Sequence, residues 1–268
     1  MRLAFDIGGT NTRVSEAHAG SLGDVQRYPT PADSARGVEL LLSTLRRVAK
    51  DATIEAIAGG FPGAVTKEGS IERAENIPGW IGCDLSKTLS AACGNIPVII
   101  RNDADMAALG EATYGAGKGF AVVAYIGLGT GVGTARVVDG ALDRGRFGTE
   151  PGTQVMDFDD GTTLESRIGG KTIFETRGVR PEVAPRALYD ELTPVLADGL
   201  ARLIERWAPE AIVLGGSLMN EENGFRLADV IAALERLNAQ SIPLPAIIKA
   251  ALGDTAGLHG GGAILERL

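Results

Sequence analysis

The 268-residue sequence predicts an α/β fold in which a strand–turn–strand unit occurs twice. Short apolar runs typical of buried strands alternate with segments whose apolar residues follow a helical spacing of three and four. Several of these runs end in glycine-rich turns, and the chain contains 37 glycines. In α/β folds the ends of the strands form the ligand crevice, so these turns are the first candidates for binding.

Composition and charge limit the kinds of molecule that the protein is expected to bind. Hydrophobic residues make up 44% and charged residues 22% of the chain, the ordinary profile of a globular protein. The net charge of −8 argues against a nucleic-acid surface, which needs clustered Lys and Arg. No apolar run reaches membrane-spanning length, and no signal peptide is visible. We therefore expect a cytoplasmic protein that binds a small molecule, with no nucleic acid or membrane partner.

The first predicted strand, residues 3–7, ends in a candidate phosphate site. It carries Asp6 and breaks into Gly8, Gly9 and Thr10. Glycines let backbone N–H groups approach an anion closely. The turn leads into a second strand, whereas a Walker-type loop would open a helix and carry Gly-Lys-Ser/Thr, which is absent here.

The next elements are a helix that Ser34 can cap and a short buried strand over residues 54–58. That strand runs into a glycine-rich turn that closes at Gly63. A loop follows in which Asn76 precedes Trp80. The loop is either an ordered ligand loop with an aromatic anchor or a plain turn beside a core tryptophan.

The best candidate for a general base follows the β-branched strand at residues 97–100. Asp103 stands beside Asn102, and a carboxylate at a rigid strand end can be held at a fixed distance from a substrate hydroxyl. The alternative is that Asp103 and Asp105 only cap a helix over residues 106–112.

A second glycine turn echoes the first. A strand over residues 121–126 enters a turn that contains Gly129, Thr130 and Gly131, again followed by apolar strand residues. The echo is either a chance similarity or a duplicated unit, in which two turns face each other across a cleft and grip one polyphosphate.

The region 140–170 is rich in glycine and acids, including Glu150 and Glu165. It suits a polyhydroxylated ligand, although a solvated acidic loop is the plainer interpretation. A long helix is predicted over residues 184–207. The strand after it ends in Gly215 and Gly216, which either bind a nucleotide or begin a helix.

The last residues of the chain are predicted to form a helix of low intrinsic stability, because four glycines within six residues each cost about 1 kcal/mol relative to alanine. Close packing against another backbone would explain them. We expect His259, in the same segment, to be a packed or surface residue rather than a metal ligand.

Taken in order, these motifs resemble those of the actin-like sugar kinases, specifically the ROK family and the bacterial glucokinases. The segments that carry the resemblance lie at residues 6–13, 102–104, 127–133, 214–216 and 253–258. The loop around Asn76 also resembles the family's loop near the sugar, which favours the ligand interpretation of that loop.

The resemblance implies two ribonuclease-H-like (actin-like) lobes around a central cleft. It places the N-terminal lobe at residues 1–106 plus 253–268 and the C-terminal lobe at 107–252. It also implies an ATP-dependent hexokinase that uses Mg²⁺, with the 6-hydroxyl of glucose as the first choice of acceptor. An N-acetylhexosamine or fructose kinase is the nearer alternative, and a sugar-sensing or non-catalytic ATP-binding regulator is the more distant one.

The same resemblance assigns roles to individual residues. Asp103 is the expected general base, and Asp6 is the expected holder of Mg²⁺. The expected sugar-binding residues are Gly63, Asn76, Asn102, Asp103, Glu150 and Glu165. The expected nucleotide-binding residues are Gly8, Gly9, Thr10, Asn11, Arg13, Gly129, Thr130, Gly131, Gly215 and Gly216.

Two departures from the family pattern matter. Thr153 stands where many members have a histidine that contacts sugar, and the cysteine cluster that holds structural zinc is missing, so we expect no zinc. Many ROK kinases have a lysine at the position of Asn11, and the asparagine here resembles the pattern of the bacterial glucokinases. Regulators of the family carry an N-terminal helix-turn-helix, which we do not expect before Asp6 in this acidic chain. The sequence leaves a homodimer open.

Overall fold

The computed structural model describes residues 1–50, 52–143, 156, 161–237 and 243–268. These residues form two compact units. The first contains Met1–Tyr114 and Asp254–Leu268, and the second contains Gly115–Gly253. The first unit continues past the predicted boundary at residue 106, because the helix Asp103–Tyr114 is continuous and belongs to it entirely.

The strands, in chain order, are β1 (Arg2–Ile7), β2 (Asn11–His18), β3 (Ser21–Leu22), β4 (Gln26–Pro29), β5 (Ala56–Phe61), β6 (Ala64–Val65), β7 (Ile71–Arg73), β8 (Val98–Asn102), β9 (Val122–Leu128), β10 (Val132–Val138), β11 (Ala141–Leu142), β12 (Ala211–Gly215) and β13 (Ala246–Lys249). The α-helices are α1 (Ser34–Ala49), α2 (Leu85–Ala92), α3 (Asp103–Tyr114), α4 (Leu164–Ile168), α5 (Gly170–Arg177), α6 (Arg186–Trp207), α7 (Leu227–Leu237) and α8 (Ala256–Leu265). Short 3₁₀ helices lie at Pro78–Trp80, Pro181–Val183 and Gly253–Thr255.

The main sheets of the two units share one topology. The first has the order β3-β2-β1-β5-β8, with β4 paired to β2, and the second has the order β11-β10-β9-β12-β13. In each, an antiparallel hairpin (β1 with β2, β9 with β10) is followed by two parallel neighbours. The shared order supports a duplicated unit over a chance echo between the two glycine turns.

Strand alternation divides the first unit into two layers of packing. Leu3, Phe5 and Ile7 of β1 point into a core that α1 and α2 cover. Ala4 lies on the opposite face, where the core is thin and small, and contains Ala58, Met106 and other residues. The members of that second core are Ala4, Ala17, Ala56, Ala58, Met106, Leu258 and Leu265.

Helices α3 and α8 cover this thin face and touch through their backbones. A Cβ built at Gly260 would lie 1.9 Å from the Met106 carbonyl oxygen, and one at Gly110 would lie 2.2 Å from the Ala256 carbonyl oxygen. The prediction that glycines of the last helix pack against another backbone is therefore confirmed at Gly260, whereas Gly262 has only ordinary contacts, the nearest at 3.7 Å. His259 of α8 packs against the Tyr114 ring, with centroids 6.0 Å apart, and is a packing residue as predicted.

The second unit has a larger core on one face of its sheet. Apolar residues of β9, β10 and β12 pack there against α4, α5, α6 and α7. The fully buried members include Leu128, Ile168, Leu200 and Leu214. Helix α6 follows the predicted long helix closely and begins at Arg186.

Two local predictions were wrong. Asp33, rather than Ser34, is the N-cap of α1, because its carboxylate accepts from the Arg36 N–H at 2.9 Å. The strand predicted over residues 54–58 is β5, which extends to Phe61 and pairs with both β1 and β8. Gly59 and Gly60 are thus buried strand residues, and the turn begins only after Phe61.

Over the residues that the structure describes, no helix has the length and apolarity to cross a membrane.

Candidate functional site

The turn between β1 and β2 is closed by a hydrogen bond from the Gly8 N–H to the Asn11 carbonyl, 2.9 Å long. The next residues, Gly9 and Thr10, are exposed. Neither of their N–H groups donates to any residue in the described part of the chain. Two backbone donors are therefore available to an anion at the predicted phosphate turn.

Thr30, which follows β4, holds this turn. Its hydroxyl donates to the Gly8 carbonyl at 2.7 Å, and its N–H donates to the Thr10 carbonyl at 2.9 Å. In a planar trans peptide the N–H points away from the C=O. Binding the Gly8 carbonyl from one side therefore directs the Gly9 N–H to the other. Thr30 was not predicted to belong to the site, because it lies outside the glycine motif that it supports.

Asp6, near the end of β1, lies on the same thin face as Ala4, because both positions alternate with the large apolar residues. It pairs in register with Arg13 of β2, whose guanidinium lies 3.8 Å from the Asp6 carboxylate. The same guanidinium contacts Asp254 at 2.5 Å. Arg13, predicted to bind the nucleotide, is thus held between two carboxylates.

Glycines make room for the Asp6 carboxylate. A Cβ at Gly60 would lie 2.9 Å from Asp6 Oδ1 and 3.4 Å from the Asp103 Cα, so Gly60 lies between the two acids. A Cβ at Gly257 of α8 would lie 2.9 Å from Asp6 Cγ. Neither glycine was predicted to be a site residue, and Gly60 was predicted to lie in a turn.

Asn102 and Asp103 stand at the junction of β8 and α3. Asn102 Oδ1 accepts from the Ala104 N–H at 2.8 Å and from the Asp105 N–H at 3.3 Å. Asn102 is therefore the residue that caps α3. Asp103 Oδ1 also accepts from the Ala104 N–H at 2.9 Å, so Asp103 shares the role of cap that one alternative gave to it and Asp105.

The two acids influence each other. Burial, and then the charge of Asp6, raises the pKa of Asp103 to about 7. Burial also raises the pKa of Asp6 to about 6, against the opposing effect of the Arg13 cation. A carboxylate whose pKa lies near neutrality can both accept and release a proton at physiological pH.

Of the predicted sugar-binding residues of the first unit, Asn102 and Gly63 are in contact, and Asn76 lies beside the phosphate turn. The Asn102 amide donates to the Gly63 carbonyl at 3.0 Å, which ties the end of β8 to the turn after β5. Exposed Asn76 approaches the phosphate turn, since a Cβ at Gly9 would lie 3.2 Å from the Asn76 Cβ. Trp80 is buried and donates to the Pro31 carbonyl at 2.9 Å, so it is a core residue that anchors the loop of Asn76.

The turn between β9 and β10 is the counterpart in the second unit. The Gly129 N–H donates to the Gly131 carbonyl at 3.0 Å. The Gly129 and Thr130 carbonyls accept from the N–H groups of Gly170 (2.8 Å) and Lys171 (2.9 Å), at the start of α5. No acceptor within the described ranges takes the Thr130 or Gly131 N–H. This turn, like the first, presents backbone donors.

Glu165 of α4 lies against this second turn. Its Oε2 accepts from the Val132 N–H at 2.7 Å. A Cβ at Gly131 would lie 2.4 Å from the same oxygen, so only glycine permits the approach. The residue predicted to bind sugar is therefore in contact with the predicted phosphate turn of its own unit.

Gly215 and Gly216 lie beside the same turn. Gly216 has a φ of +91°, and a Cβ there would lie 2.2 Å from the Leu128 carbonyl oxygen. The segment does not begin a helix, as one alternative held, and the Leu218 N–H instead donates to the Leu128 carbonyl at 2.9 Å. The structure thus brings the residues predicted for adenosine and for phosphate together in the second unit.

The remaining predicted residues cannot be placed in the same way. Glu150 and Thr153 lie outside the described residues. Among the described residues there is no cluster of three or more His, Cys, Asp or Glu residues that could hold a metal.

Comparison with known proteins gives one consistent result. The model of the ROK family matches residues 2–162 and 160–267. A ROK hexokinase from Thermus thermophilus has a similar structure, with a TM-score of 0.85, 28% identity, and coverage of 99% of this chain and 98% of that one. A ROK family glucokinase from Streptomyces griseus, solved with glucose and AMPPNP, has a TM-score of 0.83, 26% identity and 98% coverage of both chains.

A curated relative agrees with these structures. The glucokinase of Streptomyces coelicolor is 26% identical over 306 residues, which span 97% of this chain and 96% of that protein. The predicted α/β fold with two actin-like lobes is confirmed by the likeness to the solved ROK kinases. Because the family model covers nearly the whole sequence, the chain belongs to the ROK family.

Proposed function

We propose that the protein is a cytoplasmic, ATP-dependent hexokinase that transfers a phosphoryl group to the 6-hydroxyl of glucose. The observation that carries this proposal is the partly buried carboxylate of Asp103, which stands at the end of β8 beside Asp6 and has a pKa of about 7. The relatives support it, because a glucokinase of the same fold was solved with glucose and an ATP analogue.

Asp103 is proposed as the general base. Its carboxylate takes the proton of the attacking hydroxyl while the sugar oxygen forms a bond to the γ-phosphorus. The bond from that phosphorus to the bridging oxygen breaks, and ADP leaves with the electron pair. A positioned base of this kind typically contributes about 10²- to 10⁴-fold to the rate. The capped start of α3 keeps the carboxylate in place, since the Ala104 N–H donates to it.

The sugar is proposed to bind beside this base. Asn102 uses one amide hydrogen on the Gly63 carbonyl, and its second amide hydrogen remains for a sugar hydroxyl. Exposed Asn76, on a loop that Trp80 anchors, is proposed to contact the same sugar. Glu150 and Glu165 complete the proposed set of sugar-binding residues.

The donor phosphates are proposed to bind the backbone N–H groups of the two glycine turns. Gly9 and Thr10 offer them in the first unit, and Thr130 and Gly131 offer them in the second. Phosphoryl transfer depends mainly on positioning and on stabilisation of charge, and backbone donors supply both. Adenosine is proposed to lie against the Gly215–Gly216 turn.

Asp6 fits the donor set of a Mg²⁺ site. Mg²⁺ in phosphoryl-transfer enzymes is held by one or two carboxylates together with substrate phosphates, and it keeps several waters. Asp6 supplies one such carboxylate, and Gly60 and Gly257 leave space around it. The bound ion would supply charge neutralisation for the donor phosphates.

A panel of sugars in a coupled assay of ADP release tests this function. Glucose, fructose, N-acetylglucosamine and N-acetylmannosamine are each supplied with ATP and with polyphosphate. We expect the highest kcat/KM for glucose with ATP. Preference for an N-acetylhexosamine or fructose would replace glucose by the nearer alternative. Turnover of ATP that no sugar stimulates, with no sugar phosphate formed, would contradict the kinase proposal.

The role of the base is tested by Asp103→Asn, which keeps the shape of the side chain and removes its basicity. We expect kcat to fall by about 10²-fold or more, with ADP affinity within about twofold of the wild type. Asp105→Asn is the matched control, because it removes a carboxylate two residues away in the same helix. Comparable activity of the Asp103→Asn and Asp105→Asn proteins would remove Asp103 as the base.

A further inference from the structure

The second glycine turn is held at three successive peptide groups. The carbonyls of Gly129 and Thr130 accept from the first two N–H groups of α5, at 2.8 and 2.9 Å. The peptide that joins Gly131 to Val132 has both its groups occupied, because its carbonyl accepts from Gly129 and its N–H donates to Glu165. The turn therefore has little freedom to rotate its peptide planes.

This bonding fixes the direction of the remaining donors. In a trans peptide the N–H points away from the C=O, and the structure contains no cis peptide among the residues it describes. Because the Gly129 and Thr130 carbonyls point towards α5, the N–H groups of Thr130 and Gly131 point away from it. Since neither N–H has an acceptor in the described part of the chain, both remain for an anion.

Glycines allow the supporting segment to come this close. A Cβ at Gly170 would lie 2.8 Å from the Gly129 carbonyl oxygen, and a Cβ at Gly131 would lie 2.4 Å from Glu165 Oε2. A Cβ at Gly169 would lie 2.8 Å from the Glu165 carbonyl oxygen. Glycine is therefore needed both in the turn and in the segment of residues 169–170 that supports it.

We propose that Glu165 is a positioning residue for the phosphate donor: its carboxylate holds the Val132 N–H and thereby keeps the Thr130 and Gly131 N–H groups directed at the donor phosphates. The inference rests on the proposed function and adds a second role to a residue assigned to sugar. The two roles use different atoms, because Oε2 accepts from the turn and Oε1 accepts from no described residue. Oε1 is left for a sugar hydroxyl.

Binding measured without sugar separates these roles. ADP and adenosine are titrated by calorimetry, in buffer with MgCl₂, into the wild type, Glu165→Ala, Glu165→Gln and the control Glu175→Ala. Glu175 is an exposed glutamate of α5. The difference between ADP and adenosine isolates the contribution of the phosphates, and no catalytic turnover is required.

We expect Glu165→Ala to weaken ADP binding about tenfold, the effect of losing one hydrogen bond to a charged acceptor, and to leave adenosine binding within about twofold. Glu165→Gln should recover most of the ADP affinity, since the amide oxygen still accepts from the Val132 N–H. In kinetics, the KM for ATP should rise in Glu165→Ala and be largely restored in Glu165→Gln. The control Glu175→Ala should match the wild type.

Other results overturn the inference. If Glu165→Ala binds ADP like the wild type and only the KM for sugar rises, Glu165 is a sugar ligand alone. If both variants lose ADP and adenosine equally, the residue serves the fold of the second unit and not the direction of the turn. A wild type that binds neither ligand would instead contradict the proposed function itself.

Discussion

Asp6 lies where a strand, a hairpin partner and a C-terminal helix of the first unit meet. Arg13 lies 3.8 Å from its carboxylate, and only 16% of the Asp6 side chain is exposed. Asp103 lies on the other side of Gly60 from Asp6. Burial, and then the negative charge of Asp6, raises the pKa of Asp103. The ionisation of Asp103 consequently depends on a residue that is distant in the sequence.

The pH dependence of the reaction should show this ionisation. A base works in its deprotonated form, and burial raises the pKa of Asp103 to about 7, above the ordinary value for an aspartate. We therefore expect kcat/KM for the sugar to rise with pH through about 7 and to fall about tenfold per unit well below it. Initial rates between about pH 5 and 9, at saturating ATP, measure the profile. A profile already flat at about pH 5 would contradict the assignment of this pKa to an essential base.

The space around Asp6 can be tested with Gly257→Ala. The added methyl group would lie 2.9 Å from Asp6 Cγ, so the carboxylate must move. We expect kcat to fall at least about tenfold, since small displacements of a catalytic group are costly. Gly262→Ala in the same helix is the control, because its nearest neighbour would be the Ala17 Cβ at 3.7 Å. Equal activity of the two variants would show that the methyl group does not displace the Asp6 carboxylate from its working position.

At the scale of elements, α8 depends on glycine for its contact with α3. The helix has poor intrinsic propensity, yet it lies against the Met106 backbone so closely that no side chain fits at Gly260. Packing here outweighs propensity. The thin core of alanines beneath α8 has the same origin, because short side chains let the helix approach the sheet.

Two alanine substitutions in α8 should have opposite effects on the free energy of unfolding. Gly260→Ala would place a methyl group 1.9 Å from the Met106 carbonyl oxygen and should destabilise the protein by more than about 2 kcal/mol. Gly262→Ala meets only ordinary contacts and should stabilise it by up to about 1 kcal/mol, as alanine is the better helix former. Urea unfolding of both variants checks the pair. A destabilised Gly262→Ala would mean that close packing extends along the whole helix.

The sequence predicted the elements well where a single pattern dominates. Helix α6 and the strand before Gly215 were found from apolar spacing, and the echo of the two glycine turns indicated the duplicated sheet order. It failed where a tertiary contact decides. Gly60 looks like a turn residue, because only the folded structure shows Asp6 beside it. Thr30 has no local signal, since its partners lie about twenty residues earlier.

At the scale of the whole molecule, the two units share a sheet order but differ in chemistry. Asp6 pairs with Arg13 and Gly60 in the first sheet, and the equivalent position in the second sheet is Gly127, which pairs with Gly133 and Gly215. At this position the first sheet therefore carries an acid, whereas the second sheet carries only glycines. This difference supports the proposal that the base and the adenosine contact belong to different units.

Nucleotide and sugar binding should therefore be separable by mutation. Gly216→Ala combines a φ of +91° with a methyl group 2.2 Å from the Leu128 carbonyl oxygen, and we expect it to weaken adenosine and ADP binding about tenfold or more. Stabilisation by glucose in a thermal shift assay should remain. Gly178→Ala is the control for backbone strain, as it has a φ of +66° in open space. Loss of glucose stabilisation in Gly216→Ala alone would contradict the separation.

The division of the first unit into two chain segments also bears on synthesis at the ribosome. The second unit is contiguous, so it can fold while α8 has not yet emerged, whereas the first unit needs Asp254–Leu268 for its sheet to be covered. The surroundings of Asp6 are completed only by Gly257, which is translated after everything else in the site. A nascent chain that stops within the second unit would therefore carry the glycine turns without the finished acidic pocket, and we expect it to expose the thin alanine face to chaperones.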